Sequence, residues 1–87
     1  MRRIIRDGKN LYTPKWKNGF GVFTRPTESL ERGHYFTALF DADLNIYGVE
    51  GYKDFRSSLR GHKKWSKKVK TIKEIRSVWE KFIVIYK

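Results

Sequence analysis

The sequence predicts an α+β fold: an antiparallel β-meander in the first half packed against two short helices, followed by a C-terminal strand. Two observations lead to this class. Asp-Gly and Asn-Gly pairs separate β-prone runs early in the chain, and apolar residues take helical spacing after residue 51. A chain of 87 residues has room for one hydrophobic core, so we expect a single domain over residues 1–87.

Two tight turns indicate the start of the meander. Asp7-Gly8 lies between two β-prone runs, and glycine supplies the positive φ that a type I′ hairpin requires. Asn18-Gly19 repeats the arrangement between residues 11–17 and 20–25. Pro14 is compatible only with an edge or a bulge of its strand. Three antiparallel strands are therefore expected over this region.

The next segment indicates a short helical turn and a third hairpin. Thr27 is a candidate N-cap and Gly33 stands where a helix would stop, so residues 27–33 read as a helical turn or a loop. Residues 34–40 then alternate in polarity, and residues 41–45 have turn composition before a second β-prone run at 46–49.

Helical spacing begins at Tyr52. Together with Phe55 and Leu59 it forms the i, i+3, i+7 pattern of one helix face, and Gly61 is placed to end that helix. A basic connector is expected to follow.

A second helix is predicted from Thr71. Thr71 and Glu74 have the spacing of a capping box, in which each side chain accepts from the other's backbone N–H. The apolar residues Ile72, Ile75, Trp79 and Phe82 keep helical spacing after it. Residues 83–86 are rich in β-branched side chains, so a closing strand is expected from Phe82.

Positive charge is concentrated in the second half of the chain. The whole sequence carries +11, but residues 1–50 hold eight Lys/Arg against six Asp/Glu, a net +2, and residues 51–87 hold twelve against three, a net +9. Residues 55–73 contain eight cations and no acid. This asymmetry favours an anionic partner, above all nucleic acid, over a charged surface that serves only solubility.

The candidate nucleic-acid-binding residues follow from that cationic segment and from the aromatic residues near cations. We expect phosphate contacts from the helix and its connector, and base stacking from tryptophan. The candidates are Lys53, Arg56, Arg60, Lys63, Lys64, Trp65, Lys67, Lys68, Lys70, Trp16, Lys15 and Lys17. For Trp65 the alternative is an indole folded back over the sheet, because aromatic side chains usually prefer burial.

The segment from Lys15 to Phe23, KWKNGFGVF, carries a family resemblance. Its Lys-Trp and Gly-Phe-Gly words resemble the cold-shock domain, in which two such strands pair and their aromatic rings stack on single-stranded bases. The resemblance covers about ten residues, and the turn length and the helical second half depart from that family. It implies a stacking platform of Trp16, Phe20 and Phe23, and the competing interpretation is a core hairpin with lysines that reach to solvent.

The sequence gives little support for an enzyme. His34 and His62 would have to meet to act as the acid and base of a small ribonuclease, and each has a simpler role, His62 just past a helix end. Asp41 and Asp43 belong to a turn, where aspartate bonds its own backbone. No phosphate-loop or metal-ligand spacing is present. We therefore expect no catalytic residue, no metal and no cofactor.

The leading functional hypothesis is a small basic RNA-binding or single-stranded-DNA-binding protein. The alternative is a phage-type accessory protein that inhibits a host nuclease, toxin or other nucleic-acid-processing enzyme, by binding the enzyme or its bound nucleic acid. Binding to an anionic membrane is weaker, since the basic helix offers few apolar residues. Without cysteine, a signal-peptide core or an apolar run of about 18 residues, the chain is expected in the cytoplasm, that of the host if phage-encoded.

Overall fold

A computed structural model describes residues 4–27 and 34–87. Within these residues the strands are β1 (Ile5–Asp7), β2 (Asn10–Thr13), β3 (Gly21–Pro26), β4 (Tyr35–Phe40), β5 (Ile46–Tyr52), β6 (Ile72–Val78) and β7 (Lys81–Tyr86). The helix α1 spans Phe55–Lys68 and continues as a 3₁₀ turn over Val69–Thr71. The α+β class is confirmed.

The first five strands form one antiparallel sheet in the order β1-β2-β3-β4-β5, as the meander prediction required. Gly8 and Gly19 have φ of 61° and 89°, so both turns use the left-handed conformation that glycine tolerates. The second connection is longer than predicted. Residues 14–20 form a loop in which the backbone N–H of Trp16 donates to the carbonyl of Phe20, so residues 15–17 are not part of a strand.

The two faces of this sheet have different surroundings. On the inner face, α1 and the β6–β7 hairpin cover the strands, and the buried cluster there consists of Phe20, Val22, Leu39, Val69 and Ile72. On the outer face, β3 places Gly21 and Phe23, because successive side chains of a strand alternate. The core therefore lies between the inner face of the sheet and the elements that cover it, α1 and the β6–β7 hairpin.

The first predicted helix is real, but its predicted bounds are wrong. Asp54 caps the N-terminus by accepting a 2.7 Å hydrogen bond from the backbone N–H of Ser57, so Tyr52 stays in β5. Gly61 does not end the helix. A Cβ atom there would overlap the hydroxyl of Tyr52, so glycine is required by close packing rather than by a turn. The predicted basic connector is thus the second half of α1.

The predicted second helix is wrong, because residues 72–78 form strand β6. Its partner is β7, with Ile72 opposite Tyr86 and Val78 opposite Lys81. Glu74 forms an ion pair with Arg76 at 2.9 Å instead of returning to a helix N-terminus. The β-branched residues at 72, 75 and 78 suit this extended pairing, which the capping-box pattern could not reveal.

The predicted closing strand is confirmed as β7, and the hairpin of β4 and β5 is confirmed with its turn at 41–45. The helical turn expected at 27–33 lies outside the described residues from residue 28 onward. Trp79, predicted on an apolar helix face, is instead 97% exposed at the tip of the β6–β7 hairpin. In the described part of the chain, no helix is long and apolar enough to cross a membrane.

Candidate nucleic-acid interface

Four cations form a straight stripe along the solvent face of α1. Arg56, Arg60, Lys63 and Lys67 are all exposed and follow one another at intervals of four, three and four residues. At 3.6 residues per turn these intervals keep the four side chains on one line, about 16 Å long at 1.5 Å per residue. We call this set the basic stripe. Lys64 and Lys68 are exposed beside it.

The basic stripe is poorly neutralised by the protein. Between described residues, the ion pairs are Lys64 with Glu50 and Arg76 with Glu74, and neither involves the stripe. The hydrogen bonds from Ser57 lower the pKa of Asp54 at the N-cap, and the nearby charges of Arg60 and Arg56 lower it further. Neighbouring cations along the rest of the stripe therefore repel one another until an anion arrives.

The opposite side of α1 is fixed to the sheet by a buried polar network. His62 is fully buried, and its two ring nitrogens each lie 2.8 Å from a threonine hydroxyl, Thr13 on β2 and Thr24 on β3. Thr24 is bonded in turn to Thr37 on β4 at 2.5 Å. Burial lowers the pKa of His62 to about 4, so the ring is neutral near pH 7. This network locks the rotation of the helix and so aims the basic stripe at solvent.

Lys64 and Trp65 are held against the sheet by one carboxylate. Glu50 on β5 accepts hydrogen bonds from the Lys64 ammonium at 2.8 Å and from the Trp65 indole N–H at 3.1 Å. The bond from Lys64 is the main reason that the pKa of Glu50 is lowered. Trp65 is half-buried and packs against the core cluster, with the Lys68 ammonium 4.8 Å from its ring centre. Much of the Trp65 side chain is therefore folded back over the sheet, which was the alternative prediction for this residue.

Trp16 lies at the C-terminal end of α1, close to cations from two segments. Its ring centre is 5.2 Å from the ammonium of Lys70 and 5.9 Å from that of Lys17. The loop is anchored by Asn18, whose amide donates to the carbonyls of Val69 and Ile72, each at 2.8 Å. Two groups of predicted site residues, from residues 15–17 and from the cationic segment, are therefore brought together here.

The remaining candidates take peripheral positions. Lys53 is exposed just before the N-cap of α1, at the far end of the helix from Trp16. Lys15 is exposed in the loop of residues 14–20. Phe20 belongs to the inner core, whereas Phe23 lies on the outer face, so the structure does not assemble a platform of Trp16, Phe20 and Phe23.

The histidines and aspartates considered as catalytic or metal-binding groups have structural surroundings. His62 lies inside α1, not past its end as predicted, and both of its nitrogens are occupied by threonines. Asp41 accepts from the backbone N–H groups of Asp43 and Asn45, the turn role expected for it. Among residues 4–27 and 34–87, no three His, Asp or Glu side chains are grouped so as to hold a metal ion.

Sequence reasoning missed two residues that shape this surface. Glu50 sets the positions of Lys64 and Trp65 from 14 and 15 residues away, and no local pattern marks such a contact. The sequence marks Asn18 only as a turn residue, although its amide connects the loop of Trp16 to the end of α1. Both contacts depend on pairing between distant segments.

No protein-family model matches the chain, and comparisons with curated proteins and with solved structures find no significant match.

Proposed function

We propose that this protein binds RNA or single-stranded DNA, with backbone phosphates held by the basic stripe of α1. The observation that carries the proposal is the stripe itself: Arg56, Arg60, Lys63 and Lys67 share one exposed helix face, outside every ion pair between described residues. When these cations neutralise phosphates, the condensed counterions of the nucleic acid are released. This release provides affinity that is independent of sequence and falls steeply with salt.

Trp16 supports a preference for single strands. It lies among lysines at the end of the helix, and an aromatic ring beside cations can stack on an unpaired base while the ammonium groups hold the adjoining phosphates. A duplex offers no unstacked base to such a ring. Trp65 contributes through the lysines it supports, Lys64 and Lys68, with a base contact confined to its exposed edge. The site of action that fits this activity is the cytoplasm.

The test is fluorescence anisotropy with labelled single-stranded RNA, single-stranded DNA and duplex DNA at several salt concentrations. The variant Lys63→Gln/Lys67→Gln removes two stripe charges, and Lys81→Gln/Lys87→Gln removes two exposed charges from the hairpin and the C-terminus as a matched control. We expect the stripe variant to lose about ten-fold or more in affinity and about 1.4 units of log-log salt slope, at about 0.7 per contact with a single strand. Equal losses in the two variants would show a nonspecific polycation and refute the proposal.

Trp16→Ala tests the contact with a base, and Trp79→Ala is its control, because Trp79 is an exposed tryptophan at the hairpin tip. Stacking on an aromatic ring is worth about 1–3 kcal/mol per base, so Trp16→Ala should weaken single-strand binding about 5- to 150-fold and leave duplex binding nearly unchanged. An equal effect on single strands and duplex would contradict the stacking role.

A second candidate function is inhibition of a nucleic-acid-processing enzyme by direct docking, and Trp79 favours it. This residue is 97% exposed, and its backbone φ is 61°, a conformation that costs a bulky residue free energy. A pocket on a partner that receives the indole would explain why tryptophan occupies this position. A captured enzyme, purified free of nucleic acid, should bind the wild type tightly and Trp79→Ser at least ten-fold more weakly. Equal binding of the two would reject this candidate.

A further inference from the structure

The outer face of the five-stranded sheet carries a cluster of aromatic rings. Tyr12 stacks on Phe40 with ring centres 5.7 Å apart, and Phe23 lies 5.9 Å from Phe36 and 6.3 Å from Phe40. We call these four residues the aromatic patch. The two elements that pack on the sheet, α1 and the β6–β7 hairpin, both lie on the inner face, so neither covers it.

The aromatic patch continues into exposed aliphatic side chains at both edges of the sheet. Ile5 on β1 is 47% exposed, Ile46 on β5 is 63% exposed, and Tyr12 within the patch is 41% exposed. Phe40 itself is only 7% exposed beneath the neighbouring rings, so the apolar surface open to a partner comes from Tyr12, Ile5, Ile46 and the half-buried Phe23 and Phe36. The outer face of a sheet in a two-layer domain is normally polar, so apolar side chains exposed here indicate an interaction site. Strand β4, which is apolar on both faces, has the pattern of a strand covered on both sides.

The charges around the aromatic patch favour a neutral, apolar occupant. The strands place Asp7 and Arg25 on this face, and Glu50 and Lys53 line a groove beside it, so the charges of the two signs balance. The basic stripe lies on the opposite side of the molecule, beyond the sheet and the axis of α1. A nucleic acid would find little charge to neutralise here, and an acidic protein would find little to attract it.

We propose that a second copy of this chain covers the aromatic patch, so that two sheets pack outer face to outer face in a two-fold dimer. The patch then meets an identical apolar patch, and the basic stripes lie on the two outside surfaces. Packed sheets are about 10 Å apart and each helix adds about 10 Å, so the two helix axes lie about 30 Å apart, several Debye lengths at physiological salt. The charges of the two basic stripes therefore oppose this dimer weakly.

The shape and area of the face fit such a dimer. Beside the patch a shallow groove of about 720 Å³ runs along β5 over Gly48 and Gly51, and a Cβ atom at Gly48 would meet nothing within 4 Å. The glycines leave room for side chains of the partner. With strands of three to seven residues, the face is about 24 Å wide and about 17 Å long on average and presents roughly 400 Å², so two such faces give roughly 800 Å², the size of a weak, reversible interface. The expected Kd is micromolar.

The test is sedimentation equilibrium of the full chain from about 1 to about 200 µM, which brackets a micromolar Kd. We expect the mass to rise with concentration from 10.4 kDa towards about twice that value. The variant Tyr12→Ser/Ile46→Ser removes two exposed apolar groups of the face without changing the net charge, and Trp79→Ser removes one elsewhere. The first should weaken dimerisation at least ten-fold, and Trp79→Ser should leave it unchanged. Circular dichroism confirms that both variants are folded.

Three results would overturn the dimer. The first is a wild type that stays at 10.4 kDa up to about 200 µM. The second is a Tyr12→Ser/Ile46→Ser variant that dimerises like the wild type, and the third is loss of the dimer on Trp79→Ser. If the wild type is monomeric and the face variant loses affinity for RNA, the patch binds bases instead. If the wild type does not dimerise but RNA binding still depends on Lys63 and Lys67, the proposed function stands. If the dimer forms but RNA binding does not depend on these lysines, only the proposed function is refuted.

Discussion

Acidification should destabilise the fold through His62. The ring is fully buried, and burial lowers its pKa to about 4 in the folded protein, against 6.5 for an ordinary histidine. Between pH 6.5 and 4, His62 is therefore protonated in the unfolded chain but neutral in the folded protein. The contribution of His62 to the free energy of unfolding is fully present above about pH 6.5, falls as the pH drops towards 4, and is then lost.

The size of the effect follows from the same two pKa values. One pKa unit is worth about 1.4 kcal/mol, so the whole transition amounts to about 3 kcal/mol, and about 2 kcal/mol of it falls between pH 8 and pH 5. The pKa of Glu50 is lowered from 4.5, so its own loss of stability comes at lower pH, outside this window. For a domain of this size, about 2 kcal/mol is a large part of the total stability.

Urea unfolding at pH 8, 7, 6 and 5 measures the effect. The chain has two histidines, so His34→Gln should keep the full pH dependence, whereas His62→Gln should remove it along with part of the stability at every pH. An NMR titration of His34→Gln follows the His62 ring alone and should show it neutral at pH 5. Unfolding free energies that agree at pH 8 and pH 5 would refute the reasoning, as would a His62 ring that is charged at pH 6.

Three substitutions extend these expectations. Asn18→Ala removes the amide that donates to two carbonyls at the end of α1 and should lower the unfolding free energy by about 1–3 kcal/mol; an unchanged urea midpoint would contradict this. Gly61→Ala should destabilise by about 1–3 kcal/mol despite the better helix propensity of alanine, because the Cβ overlaps the Tyr52 hydroxyl; a raised melting temperature would exclude that clash. Glu50→Gln releases Lys64 and should tighten RNA binding in anisotropy titrations while reducing stability; weaker RNA binding would argue against Lys64 as a phosphate contact.

Features encoded by neighbouring residues could be predicted from the sequence. Asp7-Gly8 and Asn18-Gly19 set the chain reversals of the meander, since positive φ is a property of the glycine itself. The cationic segment and its lack of acids are also local, so all four residues of the basic stripe are among the candidates that the sequence predicts. The β-branched run at the end of the chain indicated β7 for the same reason.

The errors occurred where a distant segment overrides the local signal. Gly61 resembles a helix stop, but the ring of Tyr52 requires a residue without a side chain at that point of α1. Thr71 and Glu74 resemble a capping box, but residues 72–78 gain more from pairing with β7 than from helical bonds, because Ile72 and Ile75 then reach the core. Propensity is a weak signal beside such burial.

The sequence by itself determined the α+β class, the turns at Asp7-Gly8 and Asn18-Gly19 and the composition of a strongly cationic segment, because each depends on residues close together in the chain. The tertiary structure alone decided how that segment is presented. His62 meets Thr13 and Thr24, 49 and 38 residues away, and this buried contact fixes the rotation of α1 that turns the cations to solvent. Among the described residues, helix and hairpin also pack on the same face of the sheet, and only their joint placement determines that neither of them covers the aromatic patch.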